Sequence, residues 1–372
     1  MLRKIFVAVM AMQVSIFSFG QDVASVNPAT TTGSTTTDKP DAEKKPFLSI
    51  TGSADVYYRY DFAKTKANNF TAFTNSHNAF QLGMASVKLE HKSEKVGFVA
   101  DLGFGQRAKE FAYTDEGITQ AIKQLYISYS PAAWLKFTAG SWATHVGYEL
   151  VDPQLNRNYS MSYMFNYGPF THTGLKADLT KGKHGVMVGI SNATDYRTPP
   201  DGAINKKFFI AQYSLAATDN VKLYLNYVGG KGPDSAKTSQ FDAVITSKFS
   251  DVFSVGYNGT VSGMKAWDGT KNVDSKTWWG SALYLNLDPK SWLGLTLRGE
   301  YFSDKNQLKL FAMAPEGGNV FATTLSANFK VDGFIFIPEF RFENANKNIF
   351  VDKNGNPTKS AANFLMAAVY YF

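Results

Sequence analysis

Residues 363–372 read NFLMAAVYYF, and their alternation decides the fold. Two sets of side chains alternate along this stretch. One set is Phe364, Met366, Ala368, Tyr370 and Phe372, and the other is Asn363, Leu365, Ala367, Val369 and Tyr371. A period of two predicts a β-strand, and one side of this strand is apolar as far as its last residue. The last residues of soluble domains usually fray, because nothing holds them. A strand in this place therefore predicts a sheet that closes on itself.

The composition favours strands and excludes several kinds of site. The chain of 372 residues contains 30 phenylalanines and 19 tyrosines, which are common in strands. It contains no cysteine, so disulfides, zinc fingers and a thiol nucleophile are excluded. The net charge of +7 is spread along the chain without a basic run, which argues against a nucleic-acid partner.

The first twenty residues predict export. A short basic start at 2–4 is followed by an apolar run over 5–19 and by small residues, the layout of a cleaved signal peptide at 1–20. The alternative is a transmembrane anchor, which needs about 20 apolar residues, and the run is shorter. Residues 21–46 are rich in Thr, Pro and charge, which predicts a disordered tail, so we expect the folded part at 47–372.

Alternation of apolar and polar residues recurs from Phe47 onward, and no segment has the pattern of an amphipathic helix. In 95–104, KVGFVADLGF, every second residue is apolar and Asp101 faces the other way. Such a pattern fits a soluble sandwich, in which a second sheet covers the apolar face, or a transmembrane barrel, whose apolar face meets lipid. The segments are about 10 to 12 residues long, which suits tilted strands that cross a bilayer.

Connections of two lengths separate these segments and set the strand count. Short turns are expected near 91–94, 130–133, 181–183, 218–220, 250–251, 288–291 and 331–333. Long loops are expected near 63–78, 106–119, 142–169, 192–205, 229–237, 262–274, 304–318 and 344–359. Because the two kinds alternate strictly, we predict an all-β fold, a transmembrane antiparallel up-and-down β-barrel of about sixteen strands with both ends on the short-turn side.

Tryptophan positions agree with a membrane barrel. Trp134 and Trp292 follow short turns, whereas Trp142, Trp278 and Trp279 lie where strands meet long loops. Aromatic girdles at the two membrane interfaces predict this distribution.

The third long loop, at 144–174, is the largest. A loop of this length is usually functional or folded against something. We expect it to fold into the lumen and narrow it, with Arg157 facing Glu149 and Asp152; the alternative is an external loop that packs on its neighbours. The residues expected at the constriction are Glu149, Asp152, Asn156, Arg157, Asn158 and Tyr163.

The same loop carries a family resemblance. Residues 148–175, YELVDPQLNRNYSMSYMFNYGPFTHTGL, together with the closing aromatic strand, resemble the OmpL-like β-barrel porins. The resemblance extends over about 49–372. It implies a barrel that transports solutes passively through the outer membrane of a Gram-negative bacterium, and it names no solute.

Charged residues of both signs fall on the polar side of the predicted strands. Those expected to line the pore are Asp55, Arg59, Lys88, Glu90, Asp101, Lys136, Lys176, Asp178, Lys222, Asp242, Lys248, Arg298, Glu300, Lys330, Glu339, Arg341 and Glu343. Because cations and anions interleave, we expect a passive pore for small hydrophilic solutes with weak selectivity, slightly anionic if Arg157 lies at the constriction.

Two other functions stay open at this point. The barrel is alternatively a scaffold, receptor or adhesin that works through its extracellular loops and has no open channel. Catalysis or a metal at His145 and His172, together with Glu149 or Asp152, is the weaker alternative, because neither an HExxH helix nor a GxSxG elbow occurs. No cofactor is expected.

The expected partners follow from a barrel in the outer membrane. They are outer-membrane lipids and lipopolysaccharide, the barrel-assembly machinery, periplasmic chaperones and a homo-oligomer of the chain. Tyr370 and Phe372 resemble the aromatic signal that such machinery recognises. We expect the termini on the periplasmic side.

Overall fold

The computed structural model describes residues 47–372; the expected signal peptide and the tail at 21–46 lie outside the described residues. Sixteen strands close into one barrel, in which each strand pairs antiparallel with its neighbours and β1 pairs with both β2 and β18. The strands are β1 Phe47–Asp61, β2 Ala79–Lys92, β3 Val96–Phe104, β4 Ile122–Ala132, β5 Leu135–Ala143, β6 Thr171–Lys181, β7 His184–Ser191, β8 Phe208–Ala216, β9 Val221–Lys231, β10 Lys237–Lys248, β11 Phe253–Lys265, β12 Lys276–Lys290, β13 Leu293–Asp304, β14 Gly318–Val331, β15 Phe334–Ala345, β16 Phe350–Val351, β17 Pro357–Thr358 and β18 Ser360–Tyr371. Strands β16 and β17 form a separate hairpin. The predicted sixteen-strand antiparallel barrel is confirmed.

The connections alternate between short turns at one end of the barrel and longer loops at the other. We number the longer ones loop 1 (62–78), loop 2 (105–121), loop 3 (144–170), loop 4 (192–207), loop 5 (232–236), loop 6 (266–275), loop 7 (305–317) and loop 8 (346–359). Loop 5 is shorter than the predicted 229–237, because Gly229 and Gly230 remain in the ladder opposite Ser239 and Thr238.

Short helices occur in the loops, where the alternation predicted none. They are α1 Gln106–Ala112 in loop 2, α2 Tyr163–Tyr167 in loop 3, and 3-10 turns at Gly117–Ala121, Pro153–Leu155 and Asp201–Ala203. The Ser162 hydroxyl caps α2 by accepting a hydrogen bond from the Phe165 backbone N–H at 3.2 Å. Within 47–372, no helix is both long and apolar enough to cross a bilayer.

The barrel wall presents its apolar side chains outward. In β15, Phe334, Phe336, Phe340 and Phe342 are exposed, whereas the intervening side chains face the lumen and are buried. A continuous outer surface of exposed Phe, Leu and Val is costly in water and favourable in lipid. The outward face of the strands therefore matches the predicted alternation.

Strand β18 closes the barrel against β1 as far as its aromatic end. The Phe372 N–H donates to the Gly52 carbonyl at 3.0 Å, and the Gly52 N–H donates to the Phe372 carbonyl at 3.1 Å. The Phe372 ring lies over Gly52, where a Cβ would approach the ring at 2.7 Å. A glycine at position 52 thus makes room for the aromatic side chain at the seam.

Only part of the tryptophan prediction holds. Trp134, Trp279 and Trp292 are exposed on the outer surface, as a girdle requires. Trp142 and Trp278 are buried in the lumen instead. Trp278 and Trp279 are consecutive in β12, so their side chains point to opposite faces and only one can meet lipid.

The apolar core lies inside the barrel, towards the loop end. Loops 3, 7 and 8 pack there on the inner faces of β12, β13 and β14, and the largest cluster includes Tyr163, Trp278, Phe302, Phe311 and Phe350. A second cluster joins loops 1, 2 and 3 through Phe73, Phe111, Phe165 and Phe170, among others. The loops therefore fill much of the loop-side half of the lumen.

Candidate functional site: loop 3 and the lumen

Loop 3 crosses the lumen and bonds to strands on nearly every side of the wall. Its side chains and backbone contact β1, β4, β6, β8, β9, β10, β12, β13, β14 and β15 through hydrogen bonds or ion pairs. An external loop packed on its neighbours could not reach both β4 and β13. Loop 3 therefore runs across the lumen and divides it.

A buried ion-pair cluster holds one side of loop 3 and consists of Glu149, Arg298, Glu300, Arg341 and Glu343. Arg298 Nη1 lies 2.5 Å from Glu149 Oε1, and Arg341 Nη2 lies 3.0 Å from Glu300 Oε1 and 2.9 Å from Glu343 Oε1. All five side chains are almost completely buried. Such a cluster stabilises the folded state only as a unit, because a single remaining charge would be buried without a partner.

The wall carboxylates also bind the backbone of loop 3. The Tyr163 N–H donates to Glu300 at 2.8 Å, and Glu339 accepts from the Tyr159 and Ser160 N–H groups at 2.8 and 3.2 Å. This part of the loop belongs to no sheet, so its buried N–H groups need side-chain acceptors. Wall residues expected to line a pore thus serve to hold a loop.

Tyr159 anchors the loop across the closing seam of the barrel. Its hydroxyl donates to Asp55 of β1, and its ring is fully buried. The ring belongs to an apolar cluster on the inner wall that comprises Tyr57, Ile335, Ile337, Leu365, Ala367 and Val369. The inner faces of β15 and β18 are therefore apolar here, and the ring covers them.

The ionic partners expected for Arg157 were wrong. Its guanidinium lies 3.0 and 2.6 Å from the two carboxylate oxygens of Asp288, close to Lys330, whose Nζ is 3.9 Å from Asp288 Oδ1. Glu149 and Asp152 pair elsewhere. The reason is position, because loop 3 carries Arg157 to Asp288 at the short-turn end of β12, whereas Glu149 and Asp152 lie beside Arg298 and Lys123.

Asp152 lies on the other side of the loop. Lys123 of β4 bridges Asp152, at 2.5 Å, and Asp101 of β3, at 3.0 Å. Gln124 donates a further hydrogen bond to Asp101 at 3.2 Å. The carboxylate of Asp101 thus has one ion-pair partner, Lys123, and one hydrogen-bond donor, Gln124.

The two asparagines of the loop have different roles. Asn156 bonds within loop 3, accepting from the Leu150 N–H at 2.9 Å and donating to the Leu150 carbonyl. Asn158 donates to the Ser326 hydroxyl of β14 at 2.6 Å. The first shapes the loop and the second attaches it to the wall.

A cavity of about 460 Å³ remains between loop 3 and the wall from β1 to β6. Its lining combines loop residues 150–152, 154 and 155 with wall residues, among them Lys88, Glu90, Asp101, Lys123, Tyr126, Lys136, Thr138, Trp142 and Lys176. The lining is rich in charge and hydroxyl groups, which suits water and hydrophilic solutes.

Other charged wall residues are paired within the lumen. Arg59 and Asp61 form a fully buried pair at 3.1 Å, and Lys88 and Glu90 form a half-exposed pair at 3.0 Å. Asp178 lies 3.8 Å from Lys136 and 3.9 Å from Lys176. Asp242 accepts hydrogen bonds from Asn226 and Asn258 and from the Gly147 backbone.

The two histidines beside loop 3 are buried in the lumen. Their ring centroids lie 5.1 Å apart, His145 Nε2 is 3.0 Å from the Tyr227 carbonyl, and His172 Nε2 is 3.0 Å from the Thr144 hydroxyl. Burial lowers the pKa of His145 to about 4, so this ring is neutral at pH 7. Glu149 and Asp152 bond elsewhere, and in the described part of the chain no three metal-ligating side chains come together.

Two buried cations that hold the loop were not among the expected site residues. Arg107 of α1 is fully buried, packs over the Tyr159 ring at 4.5 Å and donates to the Val151 carbonyl at 3.3 Å. Lys123 has the same parity as the outward Leu125, and the register shift at Asp101 turns it inward. No sequence signal marks either residue.

A closed antiparallel barrel with an apolar outer surface is the architecture of the transmembrane β-barrels of the outer membrane. The chain matches the family described as "Putative beta-barrel porin-2, OmpL-like" over residues 48–372. It therefore belongs to this porin family, and the resemblance seen in the sequence is confirmed. The protein is a transmembrane β-barrel of the outer membrane. No curated protein matches the chain.

Solved structures of outer-membrane proteins share the fold at low sequence identity. The anion-selective porin from Comamonas acidovorans superposes with a TM-score of 0.60 at 9% identity, covering 88% of this chain and 100% of that chain. For the outer membrane channel DcaP of Acinetobacter baumannii the values are 0.59, 10%, 89% and 99%. For the trimer form of in-vitro folded OmpT from Vibrio cholerae they are 0.57, 10%, 88% and 99%. At such identities the likeness concerns the fold alone.

Proposed function

We propose that the protein is a passive, weakly selective pore for small hydrophilic solutes, with its pathway between loop 3 and the wall from β1 to β6. The observation that carries this proposal is the cavity of about 460 Å³ on that side. Loop 3 is fixed to the opposite wall by the buried ion-pair cluster, so the remaining space keeps a defined width. Charges of both signs line it, which favours water-soluble solutes of either sign.

The constriction is formed in this proposal by loop residues 150–152, 154 and 155 against Lys136, Thr138 and Lys176. Arg157 and Asn158 then act indirectly: they hold loop 3 in place by attaching it to β12 and β14. Membership of the porin family supports a transport role and argues against an enzyme.

Single cysteines test the pathway, because the chain has no native cysteine. Lys136→Cys places a thiol in the cavity lining, and Lys222→Cys places one on the lumen side of β9, away from that lining. Both variants are inserted in planar bilayers, and their single-channel conductance is measured before and after a bulky thiosulfonate reagent. We expect modification to reduce the conductance of the Lys136→Cys channel by at least about half and that of the Lys222→Cys channel only slightly.

Equal reduction in both variants would place the pathway elsewhere in the lumen. Absence of any conductance from the folded wild-type barrel would contradict the pore itself. Folding is checked in each case by the shift in gel mobility on heating.

A second function has a specific observation in its favour. Loops 1, 2, 3, 7 and 8 pack closely in the loop-side half of the lumen, and a filled lumen favours a barrel that serves as a scaffold, receptor or adhesin without an open channel. Such a barrel would fold normally, conduct no ions and retain a protein partner through its loops. The conductance of the wild type therefore separates the two functions.

The topology completes the proposal. We place the short turns and both termini in the periplasm and the numbered loops outside, with a signal peptide at 1–20 that is removed on export and a tail at 21–46. A tag at Gly202 in loop 4 should bind antibody on intact cells, whereas a tag at 219–220 should bind only after the membrane is opened. The reverse result would show that the barrel has the opposite orientation in the membrane.

The proposed partners match this location. They are outer-membrane lipids and lipopolysaccharide around the apolar wall, and periplasmic chaperones and the barrel-assembly machinery during insertion. The trimer form described for the similar OmpT supports a homo-oligomer as a further proposal.

A further inference from the structure

We propose that Lys136, Lys176 and Asp178 form a binding site for the carboxylate group of small organic anions on the β5–β6 wall. This inference rests on the proposed pore, and it names the class of solute that the pathway favours. Lys136 and Lys176 both line the cavity, and Asp178 lies between them.

The ion pairs at this site are long. Asp178 Oδ2 lies 3.8 Å from Lys136 Nζ, and Asp178 Oδ1 lies 3.9 Å from Lys176 Nζ. Both separations exceed a hydrogen bond, which for a charged N–H and a carboxylate is about 2.7–2.9 Å. Neither oxygen of Asp178 accepts a hydrogen bond from the protein, although its side chain is only 3% exposed.

Lys123, which also lines the cavity, differs from Lys136 and Lys176 because it has two acidic partners. Lys123 Nζ lies within 3.0 Å of carboxylate oxygens of both Asp101 and Asp152, so both partners are close. Lys136 and Lys176 have one carboxylate between them, so the three side chains together carry one net positive charge. Two ammonium groups with unused N–H donors can bind the two oxygens of a solute carboxylate.

The surroundings hold one of the two ammonium groups in place. Lys176 Nζ lies 5.3 Å from the centroid of the Trp142 ring, a cation–π contact that directs the side chain. The Thr138 hydroxyl belongs to the lining opposite Lys176 in the register of β5 and β6 and offers a further donor. Lys136 is 27% exposed and therefore the more accessible of the two.

The Asp178 carboxylate explains why such a site would suit a pore. It repels a bound anion and keeps the affinity low, and conduction requires binding that is weak enough for release. Replacing Asp178 should therefore strengthen binding, whereas replacing the lysines should abolish it. The two changes have opposite signs.

The test measures the permeability of acetate relative to chloride from reversal potentials in planar bilayers. The double variant Lys136→Gln with Lys176→Gln should lower the ratio on the order of threefold, because both ammonium donors are lost. Asp178→Asn should raise the ratio. The matched control, Lys222→Gln with Lys248→Gln, removes two lumen-side charges outside the cavity lining and should leave the ratio nearly unchanged.

An unchanged ratio in the lysine double variant, with the channel still open, overturns the inference and leaves the pore intact. A wild-type barrel without conductance would instead refute the pore. If the double variant does not fold, Lys136→Gln alone is decisive. It leaves Asp178 paired with Lys176 and should lower the ratio by a smaller factor, and an unchanged ratio there also overturns the inference.

Discussion

The wall formed by β13, β14 and β15 and the wall formed by β5 and β6 both carry buried charges, but these charges are arranged differently. On the first wall, Arg298 and Arg341 lie within 3.0 Å of carboxylates. On the second wall, Lys136 and Lys176 stay at 3.8 and 3.9 Å from a shared carboxylate. The first wall uses its charges to hold loop 3, and the second keeps donors that a solute can use. The two walls therefore differ in how closely their opposite charges approach each other.

Arg298→Met tests the wall formed by β13, β14 and β15, and it should have the largest effect. It leaves Glu149 and Glu300 without one of their cations in a buried site, which costs about 3–5 kcal/mol. We expect a lower temperature for the mobility shift on gels and a higher single-channel conductance, because loop 3 loses an anchor.

Lys136→Met on the β5–β6 wall is the matched control for this change. It removes a partly exposed cation from a long pair and should alter stability little. An equal loss of stability in both variants would remove the distinction between the two walls.

The closing seam between β1 and β18 adjoins β15 of the first wall, and a change there should have the next largest effect. Gly52→Val places a side chain against the Phe372 ring, and overpacking of this kind costs about 1–3 kcal/mol. Tyr159 packs across the same seam, so loop 3 should loosen together with it. We expect less folded barrel in the outer membrane, measured by heat-modifiable protein.

Gly202→Val in loop 4 is the control, because a Cβ there meets open space. Replacing Tyr370 and Phe372 with Ser should lower the level of folded barrel as well, since both belong to the proposed assembly signal. Normal levels in both seam variants would contradict a role of the seam in assembly.

Arg157→Glu tests whether a charge on loop 3 influences the ion selectivity of the pore. Arg157 is already paired with Asp288 and does not line the cavity, so its influence on permeating ions should be modest. We expect the reversal potential in a salt gradient to move towards cations, by less than in the lysine double variant, with little change in folding. A shift in reversal potential larger than that of the lysine double variant would show that loop 3, and not the β5–β6 wall, sets the selectivity.

The smallest effect concerns pH and loop 4. Burial raises the pKa of Asp195 to about 6, although its Oδ1 accepts hydrogen bonds from the Phe170 and Thr171 N–H groups. The folded state therefore binds the proton more tightly than the unfolded state, whose pKa is about 3.9. The resulting stability is fully present below the unfolded pKa and is lost as the pH rises through about 6.

Asp195→Asn keeps the acceptor oxygen and removes the titration. Between pH 5 and pH 7 the wild type should lose about 2 °C more in unfolding temperature than this variant. Thermal unfolding followed by circular dichroism measures the difference. Identical pH profiles would show that Asp195 titrates normally.

The sequence predicted the wall of the barrel well and the lumen poorly. The outward residues of β15 and β18 share one environment, lipid, so a period of two identifies them. The inward residues have no common environment. Ile335 and Leu365 meet Tyr159, whereas Glu339 on the same strand as Ile335 binds a backbone.

The partners of the loop residues could not be predicted for a related reason. Nothing in the local pattern pairs Arg157 with Asp288 or brings Arg107 to Tyr159, since these contacts depend on where the closed wall places each strand. The same holds for Trp142 and Trp278, whose positions at strand ends suit a girdle and whose parity turns them inward. Alternation identifies the two faces of a strand and leaves the occupants of the interior open.

The bonds of loop 3 also have a consequence for the order of folding. Consecutive strands of the wall are mostly joined by local connections, whereas the closing pair of β1 and β18 joins the two ends of the described chain. Tyr159 bonds both to Asp55 of β1 and to Glu339 of β15, and these two strands come together only when β18 closes the seam between them. Loop contacts of this kind form late, because the wall that carries their partners must first be ordered. The wall should therefore close before the loop docks, and a newly closed barrel should have a wider lumen than the mature one. Conductance recorded during refolding would then rise as barrels insert and decline, channel by channel, as each loop reaches its place.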